Sequence, residues 1–295
     1  AKILNIDKMR INKFLKKYDV LVIAGFQGIS LDGHITSLGR GGSDTTAVAI
    51  ASAINADRCD IYTDVDGVYS TDPNIVSEAK KISKLTFEEM LEMASTGAKV
   101  LHTRSVELAM KNNLVLQVLS SITKKTGTLI VDDKKLIEKE IVSGLSYTKN
   151  DSMITISGIQ DKPGISARIF GLLASENINV DMIVQNISQD GLSANITFTV
   201  PNRDINSVKS ILNKNIKKIK FRSLKTNNKI SKISVIGMGM MSQSGVAQKM
   251  FKTLANNNIN ILAISTSEIK ISVLIDEKYT NVAIKSLHKS YNLKK

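Results

Sequence analysis

Arg40, Gly41, Gly42, Ser43 and Asp44 follow one another at the mouth of a helix expected over 43–55, where the chain turns Ala-rich. Glycines at 41 and 42 let backbone amides approach an anion with no Cβ in the way. The start of a helix adds positive potential at the same place. Arg40 can clamp a carboxylate through two parallel hydrogen bonds, and Ser43 can donate at short range. Asp44 would repel an anion, so its chemical use there is to orient a lysine or amine. Ser43 and Asp44 are equally suited to capping the first turn, and the spacing leaves both uses open. A second block runs Tyr62-Thr63-Asp64-Val65-Asp66-Gly67-Val68-Tyr69-Ser70-Thr71-Asp72-Pro73. Thr63 and Asp64 can bond a ribose or base, and Tyr69 can stack on one. Asp66-Gly67 and Asp72-Pro73 are also turn signals, so a purely structural loop stays open too. Lys99, after Gly97-Ala98, can reach phosphates or stand as a solvated charge. Together the blocks suit a carboxylated small molecule held beside a nucleotide.

His34, His102 and His288 are dispersed, without metal-ligand spacing. There is no Walker A pattern. Phosphoryl transfer would therefore rest on positioning and charge stabilisation without that loop.

The elements that would position these residues alternate. Helices are expected over 7–17, 43–55, from Thr86 (a Thr-x-x-Glu capping box ending at Glu89) and over 98–112. Val20-Leu21-Val22-Ile23-Ala24 is a continuous apolar run that suits a strand buried on both faces. The polar, glycine-punctuated stretch Gly28 to Gly39 suits a ligand loop at that strand's carboxyl end. Further strands are expected at 60–62, 114–119 and 127–131. This alternation implies an open, mostly parallel sheet with helices on both faces.

Beyond a charged boundary at 132–140 lies an internal repeat. Ile154-Thr155-Ile156-Ser157-Gly158 matches Ile233-Ser234-Val235-Ile236-Gly237. Gly164 through Phe170 matches Gly245 through Phe251, and Asn177-Ile178-Asn179-Val180 matches Asn258-Ile259-Asn260-Ile261. Each copy reads strand, helix, strand, strand, helix, with room for a last strand: the ferredoxin-like βαββαβ order. The divisions are 1–131, a linker at 132–140, 141–225 and 226–295, with 141–150 free to pair with the second copy.

The formal charge of the 295 residues is +13. A nucleic-acid binder is disfavoured: the lysines are scattered, aromatics are few, and no nucleic-acid motif is present. The densest basic run, Lys214 to Lys232, interleaves with Ile216, Ile219, Phe221 and Leu224, as solvated faces do. No apolar run is long enough for a membrane helix. The opening residues do not read as a signal peptide. The single cysteine, Cys59, fits a small buried hydrophobe in a reducing, cytoplasmic compartment.

These motifs resemble aspartate kinase, in the amino-acid kinase family, with two tandem C-terminal ACT domains. The resemblance rests on residues 22–28, Gly39 to Thr46, Tyr62 to Pro73, Phe87-Glu88-Glu89-Met90 and Ile264 to Ile269. It implies ATP-dependent phosphorylation of the L-aspartate side-chain carboxylate, with Mg2+ accompanying the nucleotide, at the head of lysine, threonine and methionine synthesis. Arg40, Gly41, Gly42 and Ser43 would then contact aspartate, and Asp44 would orient the catalytic lysine. Thr63, Asp64, Tyr69, Asp72, Lys99 and Val100 would hold ATP; Asn74 departs from the arginine usual at its place. Effector lysine, threonine or both would be bound at Asp161, Gly164, Ile165, Ser166, Ala167, Asn179, Asp181 and Gln185, and in the second copy at Asn260, Ile261, Thr266 and Ser267. The ACT domains would join chains into a homo- or hetero-oligomer. The Lys-Phe-Gly-Gly-Thr strand that supplies the family's catalytic lysine is missing, so the chain is expected to lack the N-terminal portion and to be inactive alone. The alternative is a non-catalytic, amino-acid-binding regulatory subunit. Kinases acting on glutamate, N-acetylglutamate or UMP fit less well, because of the tandem tail.

Overall fold

The Thr86–Glu89 spacing closes into a reciprocal cap: Thr86 Oγ1 accepts from the Glu89 amide at 3.1 Å, and Glu89 Oε2 accepts from the Thr86 amide at 3.0 Å. This computed structural model describes every residue except 99, 124, 136–139, 189, 190, 192, 242 and 295. The chain divides into two compact units. The first holds Ala1–Ser146, Ile236–Ser244 and His288–Lys295; the second holds Tyr147–Val235 and Gly245–Leu287.

The first unit runs α1 (Lys8–Leu15), β1 (Gln27–Ile29), β2 (Ile35–Ser37), α2 (Gly42–Ala53), β3 (Cys59–Thr63), β4 (Lys84–Thr86), α3 (Phe87–Ser95), α4 (Thr103–Lys111), β5 (Leu116–Ser120) and β6 (Thr128–Val131). Its four-stranded sheet has the order β3-β5-β6-β4. The β3/β5 and β4/β6 pairs are parallel and the central β5/β6 pair is antiparallel. Val48, Ile61, Leu85, Met90, Val106, Leu116, Val118 and Ile130 form its core. Cys59 is buried at the start of β3, and burial pushes its thiol up to about 11, with Asp60 and Asp44 adding to the shift.

Two expectations fail near the start. Val20 to Ala24 is not a strand, and Val20 and Val22 are exposed. An apolar run becomes a buried strand only where neighbours supply a ladder and cover both faces; no described strand pairs with this one. The stretch expected as a loop instead contains the antiparallel β1–β2 hairpin. It turns through Ser30, whose carbonyl accepts from Gly33 at 3.0 Å. The helix expected from residue 98 begins only at Thr103, where the His102 imidazole caps it.

The repeat gives two sheets. β8 (Asp151–Gln160), α5 (Ile165–Ala174), β9 (Asp181–Ile187), β10 (Ser193–Pro201), α6 (Ile205–Lys214), the short α7 (Ile216–Ile219) and β11 (Ser223–Asn227) make the first copy; β7 (Gly144–Thr148) precedes it. The first sheet has the order β11-β8-β10-β9, antiparallel throughout. β12 (Ile230–Ile236), α8 (Val246–Asn256), β13 (Ala263–Thr266), β14 (Lys270–Asp276) and α9 (Thr280–Ser290) make the second, in the order β13-β14-β12-β7. β8 alternates buried and half-buried residues along most of its length, as a sheet packed on one face should. Ile154, Ile156, Ile169, Leu173 and Phe198 fill the core of the first copy. Ile233, Val235, Met250, Leu254 and Val273 are buried in the second. No helix among the described residues is long and apolar enough to cross a membrane.

Candidate functional site

Gly41 is the residue that starts α2, and it does so at φ 67°, in the left-handed region that glycine enters without strain. A Cβ there would also strike the His102 ring. Gly42 is hemmed in as well: its Cβ would lie 2.9 Å from Phe26 Cδ2 and 3.0 Å from Leu38 Cβ. Both glycines are therefore demanded by close packing, and Gly41 by its backbone as well. No side chain caps α2. Ser43 and Asp44 are thus not caps: Ser43 Oγ donates to Asp44 Oδ1 at 3.4 Å, and Asp44 is half-buried. Thr45 and Thr46 turn back instead, donating to the carbonyls of Gly41 and Gly42 at 2.7 Å each. Thr46 Oγ1 also accepts from the Phe26 amide at 3.1 Å, which pins Phe26 at φ 67°. Leu38 is tied on both sides: its amide donates to Phe26 O at 2.9 Å and its carbonyl accepts from Arg104 at 3.2 Å. Arg40 is exposed. The result is an uncapped helix start with an arginine and a hydroxyl beside it, an arrangement that attracts carboxylates and phosphates.

The second block follows β3 as expected. Thr63 Oγ1 donates to Asp64 Oδ1 at 3.1 Å, and the Thr63 carbonyl accepts from the amide and hydroxyl of Ser121 at 2.9 and 3.1 Å. Asp64 is exposed at the strand's carboxyl end. Tyr69 is braced by donating to Asp66 Oδ1 at 2.7 Å. That bond, with burial, pushes the phenol up to about 12, and the same bond, against burial, holds the Asp66 carboxyl below its usual range. Lys81 lies 3.5 Å from Asp66 and donates to Thr126 O at 2.8 Å. Asp72 shapes the next turn, its Oδ1 accepting from the Asn74 amide at 2.9 Å and from Asn74 Nδ2 at 3.0 Å. Val100 sits in the turn before α4, and Lys99 lies outside the described residues. The two blocks belong to one compact unit, and the elements that carry them are consecutive.

In the first repeat copy, Asp161, Lys162, Pro163, Gly164, Ile165, Ser166 and Gln185 line one pocket of about 410 Å3. Ser166 Oγ donates to Gln185 Oε1 at 3.0 Å. An anionic, a cationic and an amide side chain around one small cavity match the charges of an amino acid. Ala167, Asn179 and Asp181 are not in that lining. Asp181 is committed elsewhere, to Lys232 Nζ at 2.6 Å; Lys232 lies a further 3.1 Å from Asp151. Burial works against both charges, yet the pairing prevails: Asp181 is held below and Lys232 above its ordinary range. In the second copy, Asn260 and Ile261 follow α8, while Thr266 ends β13 and Ser267 opens the turn to β14. Sequence reasoning weighed His102 only as a metal ligand and Lys232 only as part of a solvated basic run, and gave Arg104 no role. For His102 the sequence carried a faint signal, a residue with cap-forming nitrogen directly before Thr103.

A kinase unit followed by paired regulatory folds is the class these features define. Residues 1–120 match the amino acid kinase family, and residues 154–216 and 233–291 match the ACT domain. An aspartate kinase of Pseudomonas fluorescens is 50% identical over 294 residues, covering 99% of this chain and 71% of its own length. This chain belongs to the aspartate kinase family. Among solved structures, Clostridium acetobutylicum aspartate kinase superposes with a TM-score of 0.86 at 26% identity, covering 97% of this chain and 66% of its own. Escherichia coli aspartokinase III, in complex with aspartate and ADP, gives 0.75 at 30% identity, covering 90% of this chain and 59% of its own. The same enzyme in complex with lysine and aspartate gives 0.68 at 31%, with the same coverage.

Proposed function

We propose that these residues carry the aspartate-holding loop and the nucleotide loop of an enzyme that transfers the γ-phosphoryl group of ATP to the side-chain carboxylate of L-aspartate, giving 4-phospho-L-aspartate. The observation that carries this reading is the uncapped start of α2, with Arg40 and Ser43 beside it and a left-handed Gly41 that admits no side chain. The aspartate and ADP bound to the E. coli relative support it. Arg40 and Ser43 hold the substrate's carboxylates; Asp44 turns a lysine ammonium toward the transferring group. Thr63, Asp64, Tyr69, Asp72, Lys99 and Val100 hold the nucleotide. Mg2+ enters with the nucleotide, as part of the substrate. The lysine is not supplied here, since the 295 residues contain no Lys-Phe-Gly-Gly-Thr. The Asp161–Gln185 pocket takes lysine or threonine as a feedback effector, in an assembly joined through ACT domains. The product feeds lysine, threonine and methionine synthesis.

Trapping the acyl phosphate as a hydroxamate tests this. The chain is assayed alone and fused behind the part of the Pseudomonas fluorescens relative that it does not match. The fusion turns over with both aspartate and ATP, and Asp44→Ala lowers its kcat/KM by about 100-fold, the scale of a misaimed catalytic group. The chain alone gives no hydroxamate. Turnover by the chain alone removes the lysine argument; a fusion that ignores aspartate removes the assignment.

A further inference from the structure

Ser70 sits inside the nucleotide loop, between Tyr69 and Thr71, but its hydroxyl is buried and wholly occupied. It donates to the carbonyl of Leu293 at 3.0 Å, accepts from the Lys80 amide at 3.0 Å, and lies 3.2 Å from His288 Nε2. A serine hydroxyl has one proton and two lone pairs. The proton is used on Leu293, so the network assigns a hydrogen to Nε2, which donates to Ser70. His288 is itself 1% exposed, and burial holds its pKa below the ordinary value, with Glu78 and Lys294 acting in opposite directions. The serine backbone is used as well: its amide donates to Lys80 O at 2.8 Å, and its carbonyl accepts from the Leu145 amide at 2.7 Å. Gly144 makes that approach possible, because a Cβ there would come within 2.9 Å of the Ser70 carbonyl oxygen. The residues after α9 double back at Asn292, with φ 55°, and lie along the loop. Lys294 bridges Ala79 as an antiparallel partner and places Nζ 3.3 Å from Glu78. Tyr69 bridges Lys81 as an antiparallel partner in the same way.

We infer that Ser70 is a positioning residue: through His288 in the last turn of α9 and Leu293 in the tail beyond it, the chain's C-terminal end fixes the loop bearing Tyr69 and Asp72 in the shape that receives the nucleotide. The tail thus serves the kinase site although it follows directly on the last helix of the second ACT copy. This inference rests on the nucleotide reading proposed above.

The 295-residue chain is titrated with ADP in a calorimeter, and amide exchange is followed without nucleotide, for Ser70→Ala, His288→Ala, His288→Gln and Asp64→Ala. Ser70→Ala and His288→Ala each weaken ADP by about 10-fold, the effect expected when a buried donor loses its acceptor or the reverse. His288→Gln returns affinity to within about threefold, since its amide N–H can take the place of Nε2–H. Exchange at the Ser70 and Ile82 amides quickens in both alanine variants, while the Ile196 and Phe198 amides keep their rates. Unchanged ADP affinity with a lowered Tm means a structural role only and overturns the inference, as does a glutamine variant no better than alanine. If Asp64→Ala, too, leaves ADP binding intact, or the parent binds none, the nucleotide reading itself falls. If Asp64→Ala weakens ADP and the Ser70 and His288 variants do not, only the inference falls. Should Ser70→Ala not fold, the His288 pair decides.

Discussion

The two ACT copies share a plan and differ in where they find their fourth strand. The first takes β11, which follows its own helices; the second takes β7, which precedes the first copy entirely. The first copy is thus inserted into the second. The difference teaches which parts of the repeat are fixed. The inner strands and helices carry the matched residues: Ile154 and Ile233, Ile169 and Met250, Ile178 and Ile259 are all buried. The fourth strand lies at an edge of the sheet, where an extended segment of suitable length suffices, so its source can change. Because β7 closes the second sheet, the residues after α9 are released from that duty, and they pair with Ala79 instead.

A second difference sits at the start of the repeat. The register that aligns Ile154 with Ile233 aligns Met153 with Lys232. Met153 packs beside Met182, Ile230 and Leu274; Lys232 is 4% exposed and held between Asp151 and Asp181. Lys232→Met makes the copies alike there and is the most disruptive of the changes considered. It strands Asp151 and Asp181 without their cation. A fully buried pair broken this way costs about 3–5 kcal/mol; Asp181 keeps much of its water, so about 2 kcal/mol is expected in urea unfolding. The pH dependence has a definite sign. Asp181 is held below its unfolded value, so its share of stability is present above about pH 4 and is lost as the pH falls through the folded value. Lys232 is held above its unfolded value, so its share is lost only as the pH rises past about 10.5. The methionine variant should lose the acid limb. Stability equal to the parent at neutral pH, with that limb intact, would mean the pair contributes nothing.

What was legible in the sequence follows from range. The capping box at Thr86 and Glu89, the helix opened by Gly164 and again by Gly245, and the strand at Cys59–Thr63 are settled within a few residues, and all were readable. The repeat was readable because buried positions recur in register. Val20 to Ala24 was misread because its apolarity says what it could bury and nothing of whether a partner strand is present. The β1–β2 hairpin was hidden in a stretch whose polarity and glycines suit a loop equally well. Of the candidate site, the two blocks were found by their chemistry. Their supports were not: Ser70 and His288 lie 218 positions apart, and Lys232 and Asp181 lie 51 apart. No local pattern marks such pairs.

Gly164 and Gly245 offer a finer comparison. They adopt φ 88° and 91°, and a Cβ built on either meets nothing within 4 Å. Alanine at either place therefore reports the left-handed backbone alone, at about 1–1.5 kcal/mol. Equal losses in thermal unfolding are expected without effector. Added lysine or threonine should separate them, because only Gly164 lines the Asp161–Gln185 pocket. Losses differing by more than the error before any effector is added would break the equivalence of the copies.

The smallest effect belongs to Asn177 and Asn258, each at φ 55° just beyond a helix, with Ile178 and Ile259 buried next to them. Asparagine tolerates this conformation better than other residues with a side chain, and glycine better still. Alanine should cost about 0.5–1 kcal/mol at both. Glycine should change stability by only a few tenths, because relief of the backbone is offset by the greater freedom of the unfolded chain. The amides of Ile178 and Ile259 donate to Leu173 and Leu254 at 3.0 Å each, so both turns are closed by the same bond. Matching values, measured by urea titration, would place the equivalence of the copies in the turn that swings each chain from helix to second strand. A glycine variant clearly more stable than the parent at one site and not the other would mean that one asparagine side chain is held for a purpose besides the turn, and Asn177, two residues before Asn179 in the proposed effector segment, is the place to look for it.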